Sequence, residues 1–499
     1  MKRIWDDVGH SKHFDVAIVG CGPTGATLAL LLARYGVRTV IIDKALDIYP
    51  LPRAVHFDDE IMRIFQNAGV AETLEPYLHV NAGMRFLDQN EELLLDWPRP
   101  QEVTSQGWHA SYRVHQPDLE KILRHRISET SSIEMYLGAV VDAIKEEENQ
   151  VHFHINDVAL KRAQVFTADY LVGCDGANSF VRQRLDQEME DFGFQQRWLV
   201  IDVILNADMP QLGEYTLQYC DPQYPMTYCR NPGLRRRWEM AISDDLSDEA
   251  AQDHNRIWSI LSKWITSDIA EIERTAVYQF RSRVARCWRS GRVMIAGDAA
   301  HLTPPFMGQG MCAGIRDVAN LGWKLARCLA CGHDDILLSS YEAERRSHVT
   351  EFIEMAVKLG ELICSENPKQ ALATFGSANV SDSAMKSLSP ALGESRLTEA
   401  KGDSQPLIGT LFRQPALTNG RKTDDIFPYQ PILYSSEPLK ESLFPVVSGL
   451  ESVQIGKMLE SLKSDSVLIR PDRYILKLCS QRGETLELAM DQNIRSWFA

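Results

Sequence analysis

Gly20-Cys21-Gly22-Pro23-Thr24-Gly25 is a GxGxxG run, and its flanks decide how it is read. Residues 14–19 before it form an apolar run of strand length, and residues 26–35 after it carry the apolar spacing of a helix. Gly36, the residue type favoured just past a helix end, stops that helix. Residues 37–43 then read as a second strand, completing a β-α-β unit with parallel strands and a right-handed crossover. At such a turn bare backbone N–H groups and the helix N-terminus can approach a pyrophosphate, which any side chain would hold off. Asp43 lies 23 positions after Gly20, where an acid accepts ribose hydroxyls. The motif alone would serve equally as an ordinary tight turn. Strand, helix, second strand and acid together predict a dinucleotide site on Gly20, Gly22, Pro23, Thr24, Gly25 and Asp43, with Lys44 beside it.

Around this unit the chain runs to 499 residues, 44% hydrophobic and 24% charged, enough for two or three domains with cores of their own. Lys plus Arg number 53 against 68 Asp plus Glu, a net charge of −15, so nucleic acid and anionic membranes are repelled as partners. The longest apolar run, residues 26–33, is far short of the roughly 20 residues a membrane helix needs. Asp6, Asp7 and His10 stand where a signal peptide needs apolar residues, which predicts a cytoplasmic protein. The ten cysteines are scattered, with Cys174, Cys312 and Cys364 in apolar runs, so buried thiols are expected rather than a disulfide framework. Cys328 and Cys331 fall on a buried helical stripe with no second pair to complete a site, and no metal is expected.

Residues 84–87 and 91–97 read as a hairpin, 117–126 as a helix and 170–174 as a strand ending at Asp175-Gly176. Strand signals crowd between 198 and 242, predicting a separate antiparallel layer. Residues 292–296 read as another buried strand, followed by helices over 315–331 and 342–363. Beyond residue 365 the composition turns to Ser, Pro, Gly and charge, and a linker is placed over 401–438 before strands at 467–469 and 474–478.

Two later turns select the dinucleotide. Tyr170-Leu171-Val172-Gly173-Cys174-Asp175-Gly176-Ala177-Asn178-Ser179-Phe180-Val181-Arg182 and Gly291-Arg292-Val293-Met294-Ile295-Ala296-Gly297-Asp298-Ala299-Ala300-His301 resemble two further fingerprints of the single-component FAD-dependent aromatic hydroxylases, the para-hydroxybenzoate hydroxylase-like superfamily. The resemblance covers roughly residues 14–363. It is strongest toward the 3-(3-hydroxyphenyl)propionate and 3-hydroxycinnamate hydroxylases, on Pro52-Arg53-Ala54-Val55-His56-Phe57-Asp58-Asp59-Glu60, Arg85-Phe86-Leu87, residues 198–203 and 218–222, and Arg470-Pro471-Asp472-Arg473.

The resemblance implies an α/β chain with a Rossmann-like, glutathione-reductase-type FAD-binding domain over 1–75, 105–185 and 280–365. An inserted antiparallel β-sheet substrate domain is expected over 76–104 and 186–279, and a linker with a short, abbreviated thioredoxin-like C-terminal region over 366–499. With only Cys479 in its last stretch, that region is expected to serve a homodimer contact or to support the fold rather than redox chemistry.

The resemblance also implies site roles. Gly297 and Asp298 bond the ribityl chain, and Pro304-Pro305-Phe306-Met307-Gly308-Gln309-Gly310, with Met311, runs under the flavin ring. A helix opening near Gln309 aims its dipole at the ring edge that becomes anionic on reduction. A backbone carbonyl at Pro305 is expected near the flavin C4a, while Arg53, Gln116 and Arg113 contact the cofactor. Asp175 serves FAD and the nicotinamide, or else caps the next helix and pairs with Arg182. For the phenol proton, His56, Tyr219, Tyr228 and His301 are candidates by residue type, although each could equally be a satisfied core group. Tyr228, Trp238 and Met240 are expected in the cavity wall.

The activity implied is hydroxylation of a phenol: NADH or NADPH reduces FAD, O2 adds at C4a, and the hydroperoxide delivers OH to the ring. A small phenol such as a hydroxyphenylpropionate is the expected substrate. Two other readings stand beside it, a tailoring hydroxylase of a polycyclic or quinolone-like aromatic and an FAD-binding sensor or assembly module. A plain NAD-dependent dehydrogenase leaves Gly297-Asp298 and Gly308-Gln309-Gly310 unexplained.

Overall fold

The computed structural model describes residues 12–50, 53–157, 162–185, 188–375, 380–381, 384–385, 387–399, 407–439, 442–479 and 497. Its first sheet has the strand order Arg289–Ser290, Val293–Ile295, Arg162–Gly173, His13–Val19, Thr39–Asp43, Ile133–Leu137, with Val151–Asp157 and Ala139–Glu146 as an antiparallel extension. Pairing is parallel from Val293–Ile295 to Ile133–Leu137. At the centre of this sheet, residues 16–19, 39–42, 170–173 and 293–295 are buried on both faces and largely apolar, as parallel strands covered by helices must be. Register pairs Val19 with Gly173 and with Ile42, and Gly173 with Ile295. The GxGxxG turn, the Asp175 turn and the Gly297-Asp298 turn therefore leave one carboxyl edge, where open α/β sheets bind ligands.

The second sheet has ten strands, running from His301–Leu302 through Ala270–Ala285, Met189–Leu205, Arg235–Ala241, Met226–Arg230, Thr216–Cys220, Gly83–Asp88 and Leu93–Pro98 to Ala384–Met385 and Val380–Ser381. It is the predicted antiparallel layer, apart from parallel joints between Thr216–Cys220 and Gly83–Asp88 and between Ala384–Met385 and Leu93–Pro98. One face meets the first domain. The other packs Leu199, Ile201, Tyr219, Tyr228, Trp238 and Met240 against Ile257, Leu261 and Ile265.

The linker read over 401–438 is corrected by the structure. Within it lie a short helix, Thr423–Ile426, and Ile432–Ser435, an inner strand of a four-stranded sheet ordered Val446–Ser448, Ile432–Ser435, Ser466–Ile469, Ile475–Cys479. Four residues are too few to show a period, so burial of this strand was hidden behind the Ser, Pro and charged residues around it. The ten cysteines are free thiols. Among the described residues no helix is long and apolar enough to cross a membrane. Most of the amino-terminal stretch read for a signal, residues 1–11, lies outside the described residues, as do 480–496 and 498–499.

Candidate functional site

Gly20 has φ +109°, and a Cβ there would stand 2.3 Å from the Cys174 carbonyl oxygen of the neighbouring strand end. A Cβ on Gly25 would stand 2.0 Å from the Gly20 oxygen, so the helix rests directly on the turn. Gly22 differs: nothing lies within 4 Å of its Cβ position, and it faces a cavity. Asp43 Oδ2 accepts from Cys21 N at 2.6 Å and Oδ1 from Ala45 N at 2.8 Å, tying the second strand end to the glycine turn.

That cavity, about 620 Å³, runs between the carboxyl edge of the first sheet and the inner face of the second. Two long helices point their N-termini at it without a cap. Pro23–Ala33 begins at Gly22 and Gly310–Cys331 at Gln309, neither with a side-chain cap or an acid in its first turn. By contrast Asp59–Ala68, Phe180–Arg184 and Asp335–Ile363 are capped by Asp58, Ser179 and Asp334. Uncapped N–H groups and the positive ends of two helix dipoles suit an anionic ligand. Nothing lies within 4 Å of a Cβ built on Gly310, which also lines the cavity.

Asp298 faces this space and makes no hydrogen bond to any described residue. Asp298 is itself exposed to the open cavity, and the protein atoms crowded around it raise its pKa above the ordinary carboxylate value, against the pull of His301 and Arg53. A carboxylate placed there without a protein donor can accept from a ligand hydroxyl. Its turn is fixed from behind, where Asp317 Oδ2 accepts from Gly297 N at 3.1 Å and from His301 Nε2 at 2.6 Å while Oδ1 takes Arg345 Nε at 3.0 Å. Gly314 brings the elements together, since a Cβ on it would stand 2.5 Å from Thr24 Oγ1 and 2.9 Å from Gly297 Cα.

The other expected residues divide. Arg53, His56, Arg113, Gln116, Pro305, Gly308, Gly310 and Met311 line the cavity, as do Gly22, Pro23 and Thr24. Lys44 is exposed and does not line it. Pro52 lies outside the described residues. Gln116 spends its amide inside the protein, accepting from Ala54 N at 2.7 Å and Arg53 N at 3.2 Å and donating to Glu120 at 2.7 Å, so it shapes the Arg53 loop. Gln309 likewise turns its side chain away, to Asp58 and Arg316. Asp175 accepts from Val181 N at 3.1 Å and from the Ser179 hydroxyl, the capping role. Arg182 instead bridges Ala177 O at 2.7 Å and Ala299 O at 2.8 Å, binding the second and third fingerprints together.

Three proton-handling expectations are corrected. Tyr228, with Trp238 and Met240, lies on the far face of the second sheet, because side chains alternate along a strand and Thr227, Cys229, Arg237 and Glu239 take the cavity face. Tyr219 is on that far face as well, while Thr216 and Gln218 face inward. His301 is fully buried on Asp317 and Trp288 behind the Gly297-Asp298 turn and does not line the cavity. His56 does line it, but Nε2 lies 2.7 Å from Ser111 Oγ and Nδ1 3.4 Å from Gly308 O. Burial and the Arg113 charge depress its pKa to about 3, so the ring is neutral and braces the Gly308 turn. Tyr228→Phe is accordingly expected to leave turnover within about twofold of wild type, since its buried hydroxyl touches no ligand space. Steady-state kinetics check this, and a large loss would return Tyr228 to the site.

The sheet wall is polar and basic. Arg113 is buried, donates to Thr216 Oγ1, and its Nε has no partner among the described residues. Among the described residues no carboxylate pairs with it; burial lowers its pKa while Cys229 and Glu239 work the other way. Arg99 stacks over Trp97 at 4.2 Å, and burial brings its pKa down to about 10. Arg237 forks onto Asp202 at 2.6 and 3.0 Å and donates to Arg53 O at 3.0 Å, joining the sheet to the Arg53 loop. Arg113, expected at the cofactor, is thus anchored to the sheet. No short sequence pattern marks Asp317, Ser111 or Thr216, whose partners are distant in the chain, while Asp202 falls within the quoted stretch 198–203.

Known proteins resemble this chain in sequence and in fold. A probable NADH-specific resorcinol 4-hydroxylase of Rhodococcus jostii (strain RHA1) is 40% identical over 354 residues, 70% of this chain and 66% of that protein. A 3-(3-hydroxy-phenyl)propionate/3-hydroxycinnamic acid hydroxylase of Burkholderia cenocepacia (strain HI2424) is 35% identical over 349 residues, 70% and 63% respectively. The matched stretch thus spans less than two thirds of these curated relatives. In fold, the chain is similar to the flavin-dependent monooxygenase PieE, solved with FAD and substrate (TM-score 0.77, 21% identity, 93% of this chain and 95% of that one). It is also similar to the rebeccamycin biosynthetic enzyme RebC with reduced flavin (TM-score 0.78, 21% identity, 98% and 100%). The family described as "FAD binding domain" matches residues 13–356, and the chain, whose cofactor is therefore FAD, belongs to that family.

Proposed function

We propose that this protein is an FAD-dependent monooxygenase that uses NADH and O2 to hydroxylate a small phenol carrying an acidic side chain. The observation that carries the reading is one cavity with two unlike walls, uncapped helix N-termini with a free Asp298 on one side and a basic, polar sheet face on the other. The names of the relatives in Rhodococcus and Burkholderia support the reaction class and the reductant.

In this reading the turn at residues 20–25 and the Pro23–Ala33 helix hold the pyrophosphate, Asp43 the ribose and Asp298 a ribityl hydroxyl. Gly310 and Met311, with their main-chain N–H groups at the uncapped helix start, would hold the ring, and His56 steadies Gly308 before them. Bound FAD supplies the redox chemistry that passes electrons from NADH to dioxygen and one oxygen atom to the ring. The protein's part is to exclude water, orient the phenol and favour its anionic form. Arg99 does the last by charge, since a cation nearby lowers an acid's pKa without a base removing the proton, while Arg113, its Nε without a partner among the described residues, meets the acidic side chain of the substrate. Thr216, Gln218, Thr227 and Glu239 suit a polar single ring better than a polycyclic face.

The test is NADH consumption and product mass with 3-(3-hydroxyphenyl)propionate, resorcinol and a polycyclic phenol. The acidic phenol is expected to stimulate most. Arg113→Met should lower kcat/KM for it about 10- to 100-fold, the worth of one charged hydrogen bond, and alter neutral resorcinol little. Equal losses on both would remove Arg113 from acid recognition, and preference for resorcinol would make the neutral diphenol the substrate.

A further inference from the structure

The Asp59–Ala68 helix turns Glu60, Arg63 and Asn67 onto one face, all buried, and the C-terminal region binds each of them. Tyr474 Oη donates to Glu60 Oε1 at 2.7 Å, Arg63 Nε to Asp424 Oδ2 at 2.8 Å, and Arg473 Nη2 to Asn67 Oδ1 at 2.7 Å. The Glu60 contact continues inward. Its other oxygen takes Arg316 Nε, Arg316 Nη1 donates to Gln309 Oε1 at 2.8 Å, and Arg316 Nη2 bonds Asp58. Gln309 Nε2 closes the ring of contacts on Asp58 Oδ2 at 3.2 Å. All three nitrogens of the Arg316 fork are used, so Gln309 has one position only while Glu60 keeps its own. Gln309 stands between Gly308 and Gly310, which line the cavity, and at the start of the helix aimed into it.

We propose that Tyr474 is a positioning residue for the cofactor: acting through Glu60 and Arg316 it fixes Gln309, so that the C-terminal region sets FAD affinity without touching the cavity. This rests on the placement of the flavin against residues 308–310. Without the Tyr474 hydroxyl, Glu60 loses the donor on one oxygen, the Arg316 fork can follow it, and the main-chain N–H groups after Gln309 lose their fixed aim. A support of the fold alone would behave differently. Asp472 provides the contrast, since it is buried in the same C-terminal turn but bonds Arg470 and Asn320, away from Gln309.

The experiment titrates FAD into apoprotein by flavin fluorescence, well below the melting transition, and records the bound flavin's visible spectrum and the apoprotein's thermal midpoint. Tyr474→Phe is expected to weaken FAD about tenfold and shift the flavin band. Asp472→Asn is expected to lower the midpoint with FAD affinity within about twofold of wild type. Wild-type affinity and spectrum in Tyr474→Phe, or equal weakening in both variants, would overturn the proposal. Asp298→Ala in the same titration should lose FAD; if it binds like wild type, the flavin placement is wrong and the proposal falls with it.

Discussion

Gly25→Ala is expected to abolish stable FAD binding and to yield colourless protein. A methyl group there would sit 2.0 Å from the Gly20 carbonyl oxygen, and the obstacle is backbone on both sides. Gly20 cannot retreat, because its own Cβ position is already 2.3 Å from the Cys174 oxygen on the adjoining strand end. The Pro23–Ala33 helix must therefore lift off the strand, carrying its N-terminus away from the pyrophosphate. Overpacking of this kind costs about 1–3 kcal/mol in stability. The affinity loss is larger, on the order of a hundredfold or more, because every phosphate contact shifts together. Equilibrium titration checks it. Tight FAD binding by a folded Gly25→Ala protein would show that the phosphates do not lie on this turn.

Glu344→Ala is expected to produce the largest loss of stability. Glu344 is fully buried, takes both arms of Arg470 at 3.0 and 2.8 Å, and accepts from Lys324 at 2.8 Å and Asn320 at 2.8 Å. Truncation leaves two buried cations with Asp472 as the remaining close acid, and breaking such a pair costs about 3–5 kcal/mol. The effect carries a pH signature. Burial opposes the Glu344 charge, but Arg470 and Lys324 outweigh it and hold the pKa well below the ordinary 4.5. A group depressed in the folded state stabilises fully above its unfolded value and loses that contribution as pH falls toward the folded one. The wild type should therefore weaken below about pH 4.5, and Glu344→Gln should weaken less over the same interval. Urea melts at pH 7 and pH 4 measure this; equal midpoints for wild type and Glu344→Ala would contradict it.

The parallel sheet and its three ligand-facing turns were legible because the information is local. A strand, a glycine turn and a helix follow one another within a few residues at 14–35, and the fingerprints at 170–182 and 291–301 repeat that economy. Local legibility fails where side chains alternate. Thr227 and Tyr228 are neighbours, and nothing in Met226–Arg230 says which faces the cavity until its pairing with Arg235–Ala241 is known. A tyrosine suggested chemistry, and the sheet gave the cavity to threonine and cysteine. His301 misled in the same way, by adjacency to Asp298 in a turn that reverses its direction. The C-terminal region was the least readable, because its hold on the rest of the chain is through Arg470, Arg473 and Tyr474, whose partners there, Glu344, Asn67 and Glu60, lie more than a hundred positions away.

The most direct test of the account is the visible spectrum of the purified protein, followed by NADH consumption with and without 3-(3-hydroxyphenyl)propionate and the mass of the product. The account predicts yellow protein, oxidation stimulated by the phenol, and a product one oxygen heavier. Yellow protein that oxidises NADH at the same rate with every phenol and yields no oxygenated product would contradict it.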